Sequence, residues 1–128
     1  MDLGLTRIIS KNINDVDKEI RDSLLEQGFG IITEIDVKKT FKKKINKNFQ
    51  EYKILGACNP EIAHEALSIN LDIGLLLPCN VVLWDNGNNS TTVSVINAEK
   101  MLSLADEDEL LEPAKQVNTL LKKAIDSL

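Results

Sequence analysis

The chain has 128 residues, a mass of 14.3 kDa and a formal net charge of −5. This length suits one domain, residues 1–128, with one hydrophobic core, and is too short for two. Hydrophobic residues make up 43% and charged residues 27% of the chain, a balance typical of folded proteins. The acidic net charge argues against a dedicated nucleic-acid binder, because such proteins need clustered cations to release counterions from phosphates.

Lysines cluster in one segment of the chain, where Phe41 is the only aromatic residue and no arginine occurs. A charge run of this kind is usually the solvated face of a helix. We therefore expect no nucleic-acid site at these lysines: Lys38, Lys39, Lys42, Lys43, Lys44 and Lys47.

The N-terminus lacks the basic start, long apolar run and small-residue cleavage site of a secretion signal. The longest apolar stretch, residues 73–77, is interrupted by Gly74 and is far too short to cross a bilayer. These features predict a cytoplasmic protein without a membrane span. In that compartment the two cysteines are expected to be reduced thiols, metal ligands or redox groups, and not a structural disulfide.

The first predicted elements are a strand and a helix. Residues 5–10 favour a strand, and either Asn14 or Asp15 is expected to cap the helix that follows. Gly28 is expected to end this helix, because glycine suits the left-handed position after a helix C-terminus. The apolar stripe of the helix is Val16, Ile20 and Leu24.

Two more strands are predicted around a second helix. Residues 29–35 are rich in β-formers, and their alternation predicts one face made of Phe29, Ile31, Thr33 and Ile35. Asp36 is expected to cap a helix that ends at residues 46–48. Its predicted packing positions are Val37, Phe41 and Ile45. Residues 52–58 then predict a third strand.

The rest of the chain predicts a helix, a hairpin and a final helix. Asn59 and Pro60 are a typical helix start, because asparagine caps free amides and proline is pre-shaped for the first helical position. Residues 79–85 and 91–96 favour two strands joined by a turn that contains Gly87. The last helix is expected to pack through Val117, Leu120, Leu121, Ala124 and Leu128.

The predicted order of elements fits an α+β fold with helices on one face of a mainly antiparallel sheet. The strands carry apolar residues on both faces, and Ile32, Tyr52 and Trp84 are difficult to bury together with the other apolar positions. An unburied apolar sheet face usually marks a partner or ligand surface. We therefore expect a homodimer that buries part of this face.

Three sequence blocks resemble a known family. They are GFGIITEID at residues 28–36, YKILGACNP at residues 52–60 and LLLPCNV at residues 75–81. Their order and spacing resemble the domain of unknown function family 302, with the likeness running from about Phe29 to Met101. The resemblance implies a curved sheet backed by helices, of the TATA-binding-protein-like kind, and frequent dimers. It implies no established activity.

Rare ligand-type residues fall within these blocks. Cys58 lies at the end of one predicted strand and Cys79 at the start of another, and His64 follows Cys58 on a predicted helix. Two thiols and an imidazole are ligands that zinc or copper accepts, and Glu34 or Asp36 would complete the coordination. This speculative metal site requires the two strand ends to meet.

A thiol-dependent enzyme or redox protein is the second hypothesis. Cys58 precedes a helix N-terminus, which lowers the pKa of a thiol, and His64 would act as base. Asn59 and Asn80 are the nearest orienting groups for such a site. Under the plainest interpretation, however, both cysteines are small buried hydrophobes, His64 is a surface residue and Asn59 is only a helix cap.

The functional hypothesis is therefore a small cytoplasmic homodimeric binding module of unknown ligand. Its candidate ligand-binding residues are Cys58, Cys79, His64, Glu34, Asn59 and Asn80. The alternatives are the thiol-dependent protein and a purely structural dimer, and Tyr52, Lys53 and Trp84 are further candidates for lining a pocket. No glycine-rich phosphate loop, dinucleotide fingerprint or Ser-His-Asp signature is present in the sequence.

Overall fold

The computed structural model describes residues 3–128. Within these residues, five strands form one antiparallel sheet in the order β1-β5-β4-β3-β2. This is an open α+β sheet with helices on one face, as the sequence predicts. The strands are β1 Gly4–Ile9, β2 Gly30–Asp36, β3 Tyr52–Cys58, β4 Cys79–Gly87 and β5 Ser90–Ile96.

Helices fill the connections between these strands. They are α1 Ile13–Glu26, α2 Val37–Ile45, α3 Pro60–Ile69, α4 Ala98–Leu102 and α5 Leu111–Asp126. Short 3-10 turns lie at Leu71–Leu76, Ser103–Ala105 and Asp108–Leu110. None of the helices within residues 3–128 has the length and apolarity needed to span a bilayer.

The main core lies between one face of the sheet and helices α1, α3 and α5. The sheet contributes alternate residues, because successive strand side chains point to opposite faces. The predicted stripe of α1 is fully buried against them. The buried sheet positions in this core include Leu55, Ala57, Cys79, Val81, Leu83, Val93 and Val95.

The other face of the sheet is here called the open face. Among residues 3–128, the paired strand positions that point toward it carry no charged side chain. Ile8 is 68% exposed there, and Thr6 bonds Ser94 across the strands. Helix α2 joins this face at one end through a row of aromatic contacts. The row runs from Phe41 to Phe49, then Tyr52 and finally Trp84, whose ring stacks on that of Tyr52 at 5.7 Å.

Three local expectations are wrong. The cap of α1 is Asn12, whose Oδ1 accepts the Asp15 amide, and not Asn14 or Asp15. Alternation in β2 is broken by a bulge between Ile31 and Thr33, so these two residues do not share a face. Ile45 is 60% exposed and is not a packing position of α2.

The expected caps of α2 and α3 are confirmed. The Asp36 carboxylate accepts the amide of Lys39, and the Asn59 amide oxygen accepts that of Ile62. Gly28 has φ +86°, the left-handed conformation expected after α1. These caps fix where β2 and β3 end, and the end of β3 is where the candidate site lies.

Candidate functional site

An apolar pocket lies around the ends of β3 and β4, beneath α3, and we call it the thiol pocket. Its volume is about 260 Å³. Both cysteines line it, and Asn59 is its one amide side chain. The remaining lining side chains are hydrocarbon: Phe29, Ile32, Ala57, Ile62, Ala63, Ala66, Leu67, Leu77, Pro78, Leu102 and Val117.

The pairing of β3 with β4 brings the two cysteines to this pocket. Ala57 pairs directly with Cys79, so Cys58 is one residue out of register with it. Residues one step apart point to opposite faces in a regular sheet. The pocket passes around the strand ends, and for this reason both thiols reach it. The sequence-based condition that the two strand ends meet is therefore fulfilled.

A close contact at Gly56 holds the edge of the pocket in place. A Cβ at this position would lie 2.0 Å from the Thr33 hydroxyl and 2.6 Å from Cγ of Pro78. Only glycine therefore allows Pro78, which lines the pocket, to lie directly over β3. Pro78 follows Leu77 through a cis peptide bond.

The two thiols occupy different environments. Cys79 is 6% exposed, and burial together with the nearby Cys58 raises the pKa of its thiol to about 11. It is therefore a neutral thiol near pH 7 and not a thiolate. Cys58 is half-buried, and both cysteines are free. Because the Cys79 thiol is neutral, it adds no charge to the pocket and only a weakly polar group.

The structure separates His64 and Glu34 from the two thiols. His64 is exposed on α3 and does not line the thiol pocket. Glu34 lies on the helix side of β2, with its carboxylate 3.1 Å from the Arg21 guanidinium and 3.9 Å from the Lys53 ammonium. Asp17 on α1 joins the same two cations. These charges are explained as one ion-pair network between β2, β3 and α1.

The two candidate asparagines also separate. Asn59 lines the thiol pocket while its Oδ1 caps α3. Asn80 is exposed on the open face, where it pairs with Gly56 in β3. Asn80 therefore does not share the cavity that the two thiols line.

No group of three or more histidine, cysteine, aspartate or glutamate side chains that could hold a metal ion occurs within residues 3–128. The buried thiol of Cys79 would also have to lose its proton to bind zinc or copper, against its raised pKa. The predicted ligands Cys58, Cys79 and His64 therefore do not come together as a metal site. His64 also lies outside the pocket, so it does not form a cysteine–histidine pair for thiol catalysis with Cys58 there.

Several pocket residues were not among the sequence-based candidates. Leu102 of α4 and Val117 of α5 reach the pocket from distant parts of the chain, and nothing local in the sequence indicates this. Ala63 and Ala66 carried a signal that could have been used. Two small residues on the packing face of α3 leave space that larger side chains would fill.

Comparison with known proteins agrees with the fold. The profile of the family described as "Domain of unknown function DUF302" matches residues 5–128. The chain belongs to this family. The DUF302 match extends beyond the range of about 29–101 expected from the three blocks, since it includes most of β1 and all of α1 and α5. It also includes every residue that lines the thiol pocket.

A solved DUF302 structure shares the fold of this chain. It is described as an uncharacterized conserved protein from Bacillus stearothermophilus, with 24% sequence identity and a TM-score of 0.90. The similarity covers 98% of each chain. At this identity the likeness shows the fold and not a shared activity. No curated protein matches this chain significantly.

Proposed function

We propose that this DUF302 protein is a binding module that holds a compact, mainly apolar small molecule in the thiol pocket. The observation that carries this proposal is a concave cavity lined by hydrocarbon side chains, two thiols and a single amide. Ligand sites in proteins are typically such cavities with a few polar groups that orient the ligand. Burial of ligand carbon against this lining supplies the main driving force.

The volume limits the ligand class. A cavity of about 150 Å³ is sufficient for benzene, whereas sites for drug-sized ligands begin near about 300 Å³. At about 260 Å³ the thiol pocket lies between these values. It suits a molecule with one or two aromatic rings, or a short branched hydrocarbon, better than a nucleotide or a sugar.

The few polar groups would orient the ligand without binding a charge. The Asn59 amide nitrogen can donate an ordinary hydrogen bond to a hydroxyl or carbonyl oxygen on the ligand, because its Oδ1 already caps α3, whereas the neutral Cys79 thiol forms only weak hydrogen bonds. No charged side chain lines the pocket as the structure describes it. Burying an ion there without a partner would be costly, so the ligand is expected to be uncharged.

A pair of variants on α3 tests the proposal. Ala63→Phe adds a ring inside the thiol pocket, and His64→Phe places the same ring on the exposed side of the same helix. Binding of 2-naphthol, followed by its fluorescence, is expected in the natural protein and in His64→Phe. In Ala63→Phe we expect affinity to fall at least about tenfold, because the ring occupies the ligand's volume.

Circular dichroism and urea unfolding of both variants show whether the fold is kept. If Ala63→Phe is folded and binds 2-naphthol as tightly as His64→Phe, the ligand does not occupy the thiol pocket. If none of a series of one-ring and two-ring compounds binds to the natural protein, the proposal itself is contradicted.

We further propose that the protein is a cytoplasmic homodimer that pairs through the open face. The support is the uncharged surface of the sheet, because charged residues are depleted at the centre of interfaces and an uncharged face does not repel its copy. Sedimentation equilibrium at micromolar concentration tests this, with Ile8→Lys as the disrupting variant. A monomeric natural protein would contradict it.

A further inference from the structure

The three most exposed leucines within residues 3–128 lie outside the thiol pocket, and we call them the leucine patch. Leu71 is 84%, Leu75 is 85% and Leu104 is 77% exposed. Leu71 and Leu75 lie in the turn between α3 and β4, and Leu104 follows α4. A single exposed leucine is ordinary, but a group of them usually marks an interaction surface.

The leucine patch is concave on both sides of Leu75. One groove, of about 310 Å³, runs between Leu75 and Leu104. The other, of about 210 Å³, runs from Leu75 to Pro78, Ile96 and Met101. Each groove combines apolar side chains with polar ones, Asn70 and Asp72 in the larger and Asn80 in the smaller. Spaced apolar side chains on one face of a helix can enter adjoining grooves of this kind.

The charges around the leucine patch have one sign. Residues 70–80 include Asp72, which lines the larger groove, and contain no lysine, arginine or histidine. Residues 101–112 also contain no basic residue, and their acidic residues are Asp106, Glu107, Asp108, Glu109 and Glu112. A surface of this kind attracts cationic partners and repels acidic ones.

Two lysines near this surface, Lys100 on α4 and Lys115, which lies 4.0 Å from Glu112, offset part of its charge, and the lysine-rich helix α2 is distant from it. Helix α2 leads into the Tyr52 end of β3, whereas the leucine patch adjoins Pro78 and Asn80 at the Cys58 end. The basic and acidic regions therefore lie at opposite ends of the central strands. A partner at the leucine patch therefore meets a net negative charge, from Asp72 and the four acidic residues 106–109, that these two lysines offset only in part.

We infer that the leucine patch docks a basic amphipathic helix of a partner protein. Leucines or similar side chains of the partner enter the two grooves beside Leu75. Its lysines or arginines face Asp72 and the acidic residues 106–109. The smaller groove adjoins the thiol pocket, since Leu77 and Pro78 line both, but none of the three exposed leucines lines that cavity, so changes at these leucines separate the two sites.

Synthetic peptides of about 18 residues, long enough to form a helix, test the chemistry of the partner. A Leu/Lys amphipathic peptide is expected to bind the natural protein saturably and to weaken as salt is added. A Leu/Glu peptide of equal apolar content and a Lys/Ser peptide of equal charge are expected to bind at least about tenfold more weakly.

Two variants locate the binding surface. Leu75→Asn combined with Leu104→Asn removes two exposed apolar side chains, so the fold should be retained while affinity for the Leu/Lys peptide falls at least about tenfold. Leu25→Asn makes the same kind of change at an exposed position of α1, outside the leucine patch, the thiol pocket and the open face, and should bind as the natural protein does. Binding of 2-naphthol should be unchanged in both variants, which separates this test from that of the thiol pocket.

Three results would overturn the inference. Equal affinity of the natural protein and the double leucine variant would place the peptide elsewhere. If the Lys/Ser peptide binds as tightly as the Leu/Lys peptide, the interaction depends on net charge alone and not on the leucines. Salt-dependent self-association of the protein alone, abolished both by the leucine changes and by Lys→Glu changes in α2, would show that the occupant is a second copy of this chain.

Discussion

The two faces of the sheet are built from the same strands but differ in what covers them. The helix-covered face presents aliphatic side chains to α1, α3 and α5, and residues such as Leu55 and Leu83 are fully buried there. The open face presents threonine, serine, asparagine and a few exposed apolar residues, with the aromatic row at one end. The thiol pocket lies at the boundary between the two faces, where the packing of the core ends.

The largest expected difference between the faces is in the cost of removing an apolar side chain. Leu83→Ala on the covered face should lower the free energy of unfolding by about 2–5 kcal/mol, because it leaves a cavity in the main core. Ile8→Ala on the open face should change the free energy of unfolding of the monomer by about 0.5 kcal/mol or less. Urea unfolding at low protein concentration measures both, and comparable losses would contradict the division into two faces.

A smaller effect is expected where the open face meets the pocket edge. Gly56→Ala forces a methyl group against Thr33 and Pro78, so we expect a loss of about 1–3 kcal/mol in the free energy of unfolding. Gly30→Ala is the matched control, since a Cβ there meets no atom within 4 Å. If the two variants have equal stability, Pro78 does not lie closely over β3 in solution.

The Cys79 thiol predicts a pH dependence of stability. The pKa of this thiol is about 11 in the folded state, above its usual value of 9.0. The folded state therefore keeps the thiol protonated up to a higher pH than the unfolded state does. The stabilisation that comes from burying the protonated thiol is fully present below pH 9. As the pH rises from 9 to 11, the free energy of unfolding falls by about 1.4 kcal/mol per pH unit. Comparing the urea midpoints of the natural protein and Cys79→Ala at pH 8 and pH 10.5 isolates it. The gap between the two proteins should shrink at the higher pH, and a constant gap would contradict the burial of this thiol.

The smallest expected effect is at the cap of α2, the helix that adjoins the open face. Asp36→Ala removes the acceptor for the Lys39 amide and should lower the free energy of unfolding by about 1 kcal/mol. Asp36→Asn keeps an acceptor oxygen and should cost only a few tenths of a kcal/mol. Equal losses in the two variants would mean that the charge of Asp36, and not its cap, is what matters.

Much of the fold could be predicted from the sequence because its signals are local. The caps at Asp36 and Asn59 and the left-handed Gly28 set element ends through bonds that span a few residues. The bulge after Ile31 could not be predicted, because the pairing of β2 with β3 creates it and the residues themselves still alternate. The exposed position of Ile45 also depends on how α2 lies against the sheet.

The candidate site was predictable only in part. The sequence places Cys58 and Cys79 at strand ends but leaves open whether those ends meet, and the antiparallel pairing of β3 with β4 brings them together. The expectation that His64 and Glu34 would join them failed for different reasons. His64 lies on the exposed side of α3, and Glu34 is held by Arg21 and Lys53, whose positions depend on the packing of α1 against the sheet.

The central claim, that a compact apolar ligand occupies the thiol pocket, is tested most directly by methyl NMR spectra of the protein titrated with 2-naphthol. We expect the methyl signals of Ala57, Ala63 and Val117, which line the pocket from three different elements, to shift together and saturate. The methyl signals of Ile8 and Leu75 should not move with them. Shifts confined to the open face or to the leucine patch, with the pocket methyls unchanged, would contradict the account.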